Sequence, residues 1–369
     1  MNKELVAVYS DKSVYHKPIF GTFDGINRPS YDLPQRTTSI IDALQDLKAV
    51  TEIEITYPRV FGMPFIYSVH DQGYVEYLKT TSDQVAQKPP ILVPEIVNKD
   101  TKETVIREYP AFTTPSVFPH GNNPRAKNKE AIKGTYSFDT ATPIMANIYE
   151  VALEAANTAL TGADMIATQN YTLVYSLCRP PGHHAERSKM GSYCYLNNAA
   201  IAANYISHQT GSRVGILDID AHHGNGTQQI FYEDPNVYYA SVHGDPETTP
   251  PYYSGYVDEL GEGPGFGYNT NILLPKGSDN EKFLDALDKL IFLLKQFNPN
   301  FLIVSLGFDG FKTDPCKVFT LTTDAYIEAA KRIGKLGLPT LSIQEGGYAV
   351  EDLGTNIAAY LKSLKSSHS

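Results

Sequence analysis

The chain predicts an α/β fold built on a parallel sheet covered on both faces, and three observations carry that reading. From Pro143 onward, helix-period segments alternate with strand-like ones, the pattern of βα units. The strand-like runs are rich in Val, Ile and Leu, as strands buried on both sides must be. Polar motifs follow directly after those runs, where an open parallel sheet binds its ligands.

Taken in order, 5–10 reads as a first strand, and 11–36 is a polar loop interrupted by Gly21, Gly25, Pro29 and Pro34. Ile40, Ile41, Leu44 and Leu47 share one face of a helix at about 37–48, and a second helix is expected near 73–78. Residues 82–135 carry seven prolines from Pro89 to Pro124 among mixed charges. A loop of that length in a compact unit is usually functional, so it is expected to be a lid or dimerisation insertion within one domain spanning 1–369. Beyond it, helices are expected at 144–160, 196–208, 225–233, 280–297, 322–336 and 351–365. Strands are expected at 171–178, 213–220, 237–243, 301–306 and 339–343.

Composition narrows the class. In 369 residues, 42% hydrophobic and 11% aromatic, there is enough apolar material for a sizeable core. A formal charge of −10 argues against a general nucleic-acid binder, which needs a basic face. Three cysteines without C-x-x-C spacing suggest neither a disulfide framework nor a thiolate metal site, and fit a reducing compartment. The first apolar run is too short for a signal sequence and no stretch approaches a membrane span, so a soluble cytoplasmic protein is expected.

The densest chemistry lies at Arg213 to Gly226, where an apolar run ends in Asp218, Asp220, His222 and His223. Asp218, Asp220 and His222 can project to one side if extended geometry persists. Buried charges are paired or hold metals. With Asp309 after another strand, Asp220 and His222 give three ligands and leave a position open, the pattern of a catalytic rather than structural site. His183 and His184, held in a Pro-Pro-Gly turn, suit proton transfer. Asp218 is placed to orient one of them and Asn225 the other, and the ring paired with Asn should be the less readily protonated. Tyr348 follows Gly346-Gly347 and offers a phenol to a developing oxyanion. Metal, water, two imidazoles and a phenol amount to metal-assisted hydrolysis of an acyl bond, and no G-x-S-x-G elbow competes with it.

R-P-P-G-H-H-A (179–185), G-S-Y-C-Y-L-N-N (191–198), D-I-D-A-H-H-G-N-G-T (218–227), S-V-H-G-D-P (241–246), S-L-G-F-D (305–309) and E-G-G-Y (345–348) resemble the zinc-dependent histone deacetylase superfamily. Within it they look closest to bacterial acetylpolyamine amidohydrolases and histone deacetylase-like amidohydrolases. The resemblance implies the three-layer α/β/α arginase/deacetylase fold around an eight-stranded parallel sheet. It implies zinc, or ferrous iron, on Asp220, His222 and Asp309, with Tyr348 stabilising the oxyanion. His184 would be the general base, and His183, paired with Asp218, an electrostatic partner or acid. Tyr193 and one of Tyr252 or Tyr253 would line a channel, with the Ser192 carbonyl on the substrate N–H. Structural potassium would sit at Asp218, Asp220, His222, Ser241 and Val242, and again at Phe231, Asp234, Val237 and Tyr268.

Arginase shares that fold, but its second metal needs acids where this chain has Gly224 and Gly307, so one metal is expected. The expected reaction is deacetylation of an acetylated polyamine or an acetyl-lysine side chain, by a homodimer or higher homo-oligomer. Glu130 is the expected partner of a distal ammonium. A protein-lysine deacetylase and a non-catalytic acyl-lysine binder are the alternatives.

Overall fold

The computed structural model describes residues 3–23, 26–51, 53–98, 103–119 and 128–368, so 99–102 and 120–127 of the expected insertion lie outside the described residues. Its centre is an eight-stranded sheet. The strands are β1 (Lys3–Val8), β2 (Glu54–Thr56), β3 (Tyr171–Ser176), β4 (Val214–Asp218), β5 (Val237–Gly244), β6 (Asn269–Leu274), β7 (Phe301–Leu306) and β8 (Thr340–Gln344). They lie in the order β6-β5-β4-β7-β8-β3-β1-β2, and every ladder is parallel.

Strand periodicity divides the core into two layers. Leu302, Val304 and Leu306 of β7 face one apolar cluster, and Ile303 between them faces the other. Helices α1 (Gln35–Val50), α6 (Asn280–Phe297), α7 (Thr323–Gly334) and α8 (Val350–Ser367) cover the first face. Helices α2 (Gln72–Ala86), α3 (Ile148–Thr168), α4 (Asn198–Thr210) and α5 (Asn225–Phe231) cover the second. The sequence of α6 explains its placement. Phe283, Ala286, Leu287, Leu290, Ile291, Leu294 and Phe297 form its buried stripe, Asp279 caps its start by accepting from Lys282 N, and left-handed Asn298 ends it.

Strand order locates the site. The chain leaves β4 for β5 on one side and β7 for β8 on the other, although β4 and β7 are neighbours. This reversal opens a crevice beyond their carboxyl ends, the usual ligand position in open α/β sheets.

Several expectations need correction. The segment 82–135 is less irregular than its prolines suggest. Helix α2 runs on to Ala86, Ile91–Asn98 pairs antiparallel with Glu103–Tyr109, and a short helix spans Lys129–Thr135. The expected helix at 144–160 begins at Ile148, because Asn147 takes a left-handed φ of 67° and Ile144–Met145 pairs with Phe112–Thr113. The two edge strands, β2 and β6, had no counterpart in the sequence reading. One is three residues long, and the other begins N-T-N rather than with an apolar run.

Ile303 is fully buried between the central strands and their helices. Ile303→Ala should therefore cost about 2–5 kcal/mol, read as a lowered midpoint in chemical denaturation. A loss below about 1 kcal/mol would show that this layer is not close-packed.

Candidate active site

Ladder pairing of β4 stops at Asp218, and the chain turns so that Asp220 and His222 point into the crevice towards Asp309, which follows β7. One ligand atom from each of these three residues lies within 4.8 Å of the others. His222 Nδ1 is 2.7 Å from Asp309 Oδ2 and 3.3 Å from Asp220 Oδ1. Backbone amides also bind the carboxylates, Gly346 N donating to Asp220 Oδ2, Ala221 N to Asp309 Oδ1 and His222 N to Asp220 Oδ1, each at 2.9 Å, and His183 Nε2 lies 3.8 Å from Asp220 Oδ1. Asp218, expected on the same side, is not part of this cluster.

Glycine lets the surrounding loops approach. A Cβ at Gly346 would lie 2.5 Å from Asp309 Oδ2 and 2.6 Å from Asp220 Oδ2. At Gly307 it would collide with Asp220 Oδ2, and at Gly224 with Asp218 Oδ2. No side chain, let alone a second pair of metal-bridging acids, fits at those two positions. Two carboxylates and one imidazole with converging lone pairs suit a single first-row divalent cation. The electrostatics agree. Burial opposes charge on His222, but Asp309 and Asp220 outweigh it and hold a proton there well above the ordinary imidazole range. The pocket attracts positive charge.

The two neighbouring imidazoles differ as their partners predict. His183 Nδ1 lies 3.1 Å from Asp218 Oδ2, which also accepts from Tyr239 OH at 3.0 Å. Burial disfavours its charge, yet Asp220 and Asp218 prevail and push its pKa up to about 10. His184 Nδ1 lies 2.8 Å from Asn225 Oδ1. Burial, with positive His183 and His222 close by, drives its pKa well below the usual value. One ring is built to hold a proton and its neighbour to be neutral, with centroids 4.1 Å apart.

The Tyr348 phenol stays protonated, raised well above the ordinary range by burial. Its segment is held from two sides. Arg36, from α1, donates to the carbonyls of Gly347 and Glu345 at 2.6 and 2.5 Å and lies 4.7 Å over the Tyr348 ring. Asp314 Oδ2 accepts from Tyr348 N at 2.6 Å and Ala349 N at 3.1 Å. Asp32 ties Arg36 to Arg179 of the R-P-P-G motif, all three nearly inaccessible to solvent. The fully buried carboxyl of Glu345 accepts from Gly182 N and His183 N at 2.6 and 3.1 Å, and burial raises its pKa to about 7.

Ser192 and Tyr193 both take left-handed backbone, with φ of 47° and 68°. Such strain persists only where surroundings fix it. Asp139 Oδ2 accepts from Ser192 N at 2.6 Å, and Thr142 Oγ1 from Tyr193 N at 3.0 Å. The Tyr193 ring then stands 5.8 Å from that of Tyr348. Of the two alternatives for the facing wall, Tyr253 joins the site, bonding Asn225 and Glu186 and meeting Phe138 edge-on at 5.9 Å. Tyr252 and Tyr253 are similarly exposed, at 57% and 52%, and the Tyr252 carbonyl accepts from Tyr256 OH.

Glu130 is the expected partner of a distal ammonium. It opens the short Lys129–Thr135 helix, and its carboxylate is occupied by Lys133 at 2.7 Å and Ser116 at 3.1 Å, with no contact joining it to the Asp–His–Asp pocket among the described residues. Of the potassium candidates, Ser241 pairs with Asp218 across the β4–β5 ladder and precedes Val242. Phe231 ends α5, Val237 opens β5, Asp234 N donates to Phe231 O, and Tyr268 O accepts from Tyr239 N. Each of those two carbonyls retains a second lone pair.

An open Asp–His–Asp pocket beside a charged imidazole, a neutral imidazole and a phenol, at the switch point of a parallel sheet, defines a hydrolase of amide bonds. Residues 31–364 match the histone deacetylase domain. The chain belongs to that family of metal-dependent deacetylases. It is 38% identical over 365 residues to acetylpolyamine amidohydrolase 2 of Pseudomonas aeruginosa, covering 99% of this chain and 100% of that one. It is 34% identical over 336 residues to the acetylpolyamine amidohydrolase of Mycoplana ramosa, covering 91% and 92%. The structure superposes on the crystal structure of acetylpolyamine aminohydrolase from Burkholderia pseudomallei with a TM-score of 0.88, at 31% identity over 98% and 99% of the two chains. The fold is the three-layer arginase/deacetylase type.

Two outcomes follow for the pocket. Gly346→Ala should weaken zinc binding by about 10- to 100-fold, measured by competition with a chromophoric chelator, because its methyl displaces both carboxylates. An unchanged affinity would mean that these oxygens do not hold the ion. Because His222 carries a proton in the metal-free protein, zinc affinity should fall as pH drops, by up to about tenfold per unit for each proton displaced. Affinity independent of pH between 6 and 8, on the scale of about two units, would contradict that competition.

Proposed function

We propose that the chain hydrolyses the amide of an acetylated polyamine to acetate and free amine, with one zinc ion held by Asp220, His222 and Asp309. Ferrous iron satisfies the same donor set. The observation that carries the reading is the placement of two adjacent imidazoles, one paired with the Asp218 carboxylate and the other with the Asn225 amide, beside a pocket of three converging ligands. The choice of polyamine rests on relatives of that name that match this chain nearly end to end.

Bound in the pocket, the cation supplies Lewis acidity to the amide carbonyl and to the attacking water. Neutral His184 accepts the proton that water gives up as its oxygen bonds to the acetyl carbon. Cationic His183, braced by Asp218, stabilises the charge developing beside it and supplies a proton for the nitrogen as the C–N bond breaks. Tyr348 donates a hydrogen bond to the carbonyl oxygen as it becomes an oxyanion. The Ser192 carbonyl accepts from the substrate N–H, and Tyr193 and Tyr253 flank the aliphatic chain.

We place structural potassium at the two sets of oxygens that include Ser241 and Tyr268. A homodimer through the hairpin of Ile91–Asn98 and Glu103–Tyr109 is supported by its exposed Leu92, Val105 and Ile106. We place the chain in the cytoplasm, a reducing setting that its three free cysteines suit; among the described residues no helix is long and apolar enough to cross a membrane.

Acetate release from acetylputrescine and from an acetyl-lysine peptide by the zinc-loaded protein tests the reading. The polyamine should be the better substrate, and Tyr348→Phe should lower kcat by about 100- to 1,000-fold with little change in KM. Faster turnover of the peptide would make the chain a protein-lysine deacetylase. Turnover of neither would reject the catalytic reading in favour of an acyl-lysine binder.

A further inference from the structure

The role given to His184 under the proposed function requires a particular tautomer. To accept a proton from water, a neutral imidazole must keep one ring nitrogen bare, and which one is set by the hydrogen bond the other makes. Nδ1 faces Asn225 Oδ1 at 2.8 Å. A carboxylate there would force Nδ1 to donate. An amide does not, because turning it over would present NH2 in place of oxygen. Something must fix the amide.

Asn225 Nδ2 shares its two hydrogens among Glu186 Oε1 at 3.0 Å, Tyr253 OH at 3.0 Å and, more weakly, the His184 carbonyl at 3.3 Å. Tyr253 OH itself donates to Glu186 Oε1 at 3.0 Å, closing a triangle. Rotating the amide by half a turn would set its oxygen against the Glu186 carboxylate and the His184 carbonyl, which offer no hydrogen, and Tyr253 OH could donate to it only by giving up its bond to Glu186 Oε1. Asn225 is 2% exposed, so water cannot readily relieve that clash.

We infer that Glu186 is a positioning residue for the deacetylation proposed above: it fixes the Asn225 amide with oxygen toward the imidazole, and so keeps His184 protonated on Nδ1 and bare on Nε2. Glu186 touches neither the three ligands nor Tyr348 in any described contact. It acts through Asn225, and its hydrogen bond to Tyr253 puts the aromatic rim of the channel in the same network. Sequence places it two residues after His184 with nothing to separate it from the solvated Glu186-Arg187-Ser188-Lys189 turn.

Two measurements on the full-length protein test the assignment. Nitrogen-15 spectra of the histidine-labelled protein, with the His184 signal assigned by its loss in His184→Ala, should show a single Nδ1–H tautomer in the parent. Glu186→Ala should produce a mixture of tautomers, and Glu186→Gln, whose carbonyl can still accept from Nδ2, should restore the parent pattern. In zinc-loaded protein, Glu186→Ala should lower kcat by about 10- to 100-fold while KM holds. In the Asn225→Asp background there is no amide to turn and two carboxylates stand together, so Glu186→Ala should leave kcat unchanged or raise it. A parent-like tautomer in Glu186→Ala overturns the inference, as does an equal loss of kcat in both backgrounds. The spectra decide even if the chain turns over no acetylated amine, which separates failure of this inference from failure of the proposed function.

Discussion

Three carboxyl groups, those of Asp218, Asp220 and Asp309, are buried at the ends of two neighbouring strands, and the rest of the site is arranged around their charge. An ionised carboxylate stripped of water costs several kcal/mol unless partners replace the solvent. The fold supplies those partners unevenly. Asp218 receives an imidazole and a phenol, whereas Asp220 and Asp309 receive mainly backbone N–H groups on one side and leave oxygens aimed at His222 and at one another. Burial and the charge of Asp220 raise the pKa of Asp309. A dication relieves this frustration in a way no single proton can.

The same charge sets the two imidazoles apart. His183 lies close to the carboxylates and is held cationic, and its charge then helps to keep His184 neutral. Which ring is charged and which is neutral is thus set by placement relative to one charge cluster. Asn225 in place of a carboxylate completes the contrast, because it orients His184 without supplying a negative charge. Behind the site, Arg36, Arg179 and Asp32 form a buried lattice that braces the segment carrying Tyr348. Under the proposed function that phenol meets an oxyanion at hydrogen-bond distance, which needs such rigidity.

Much of this was legible in the sequence because the chemistry sits in short runs after apolar strands. Val214, Ile216 and Leu217 announce a buried strand, and Asp218 to His223 follow at its carboxyl end. Helix α6 was legible to the residue because its stripe is unbroken and its ends carry an Asp cap and a left-handed Asn. What was not legible depends on contacts distant in the chain. Arg36 binds a segment more than 300 residues away, Asp139 fixes the backbone of Ser192, and Asp314 reaches Tyr348. Each looks like an ordinary surface residue in its local context. Edge strands failed for another reason: β2 is short and partly exposed, so it lacks the apolar run that marks a strand buried on both faces. An isolated acid such as Glu130 in K-N-K-E carries no geometry in the sequence, and the contact of its carboxylate with Lys133 is visible only in the fold.

The most direct test is the metal content of purified protein in which single ligands have been removed. Parent protein dialysed against buffered zinc should retain about one ion per chain, as a site of three protein ligands implies, and Asp220→Ala and Asp309→Ala should each lose it under the same conditions while staying folded. Retention of the ion by both variants as tightly as by the parent would contradict the central claim, that these two buried carboxylates and His222 exist to hold it.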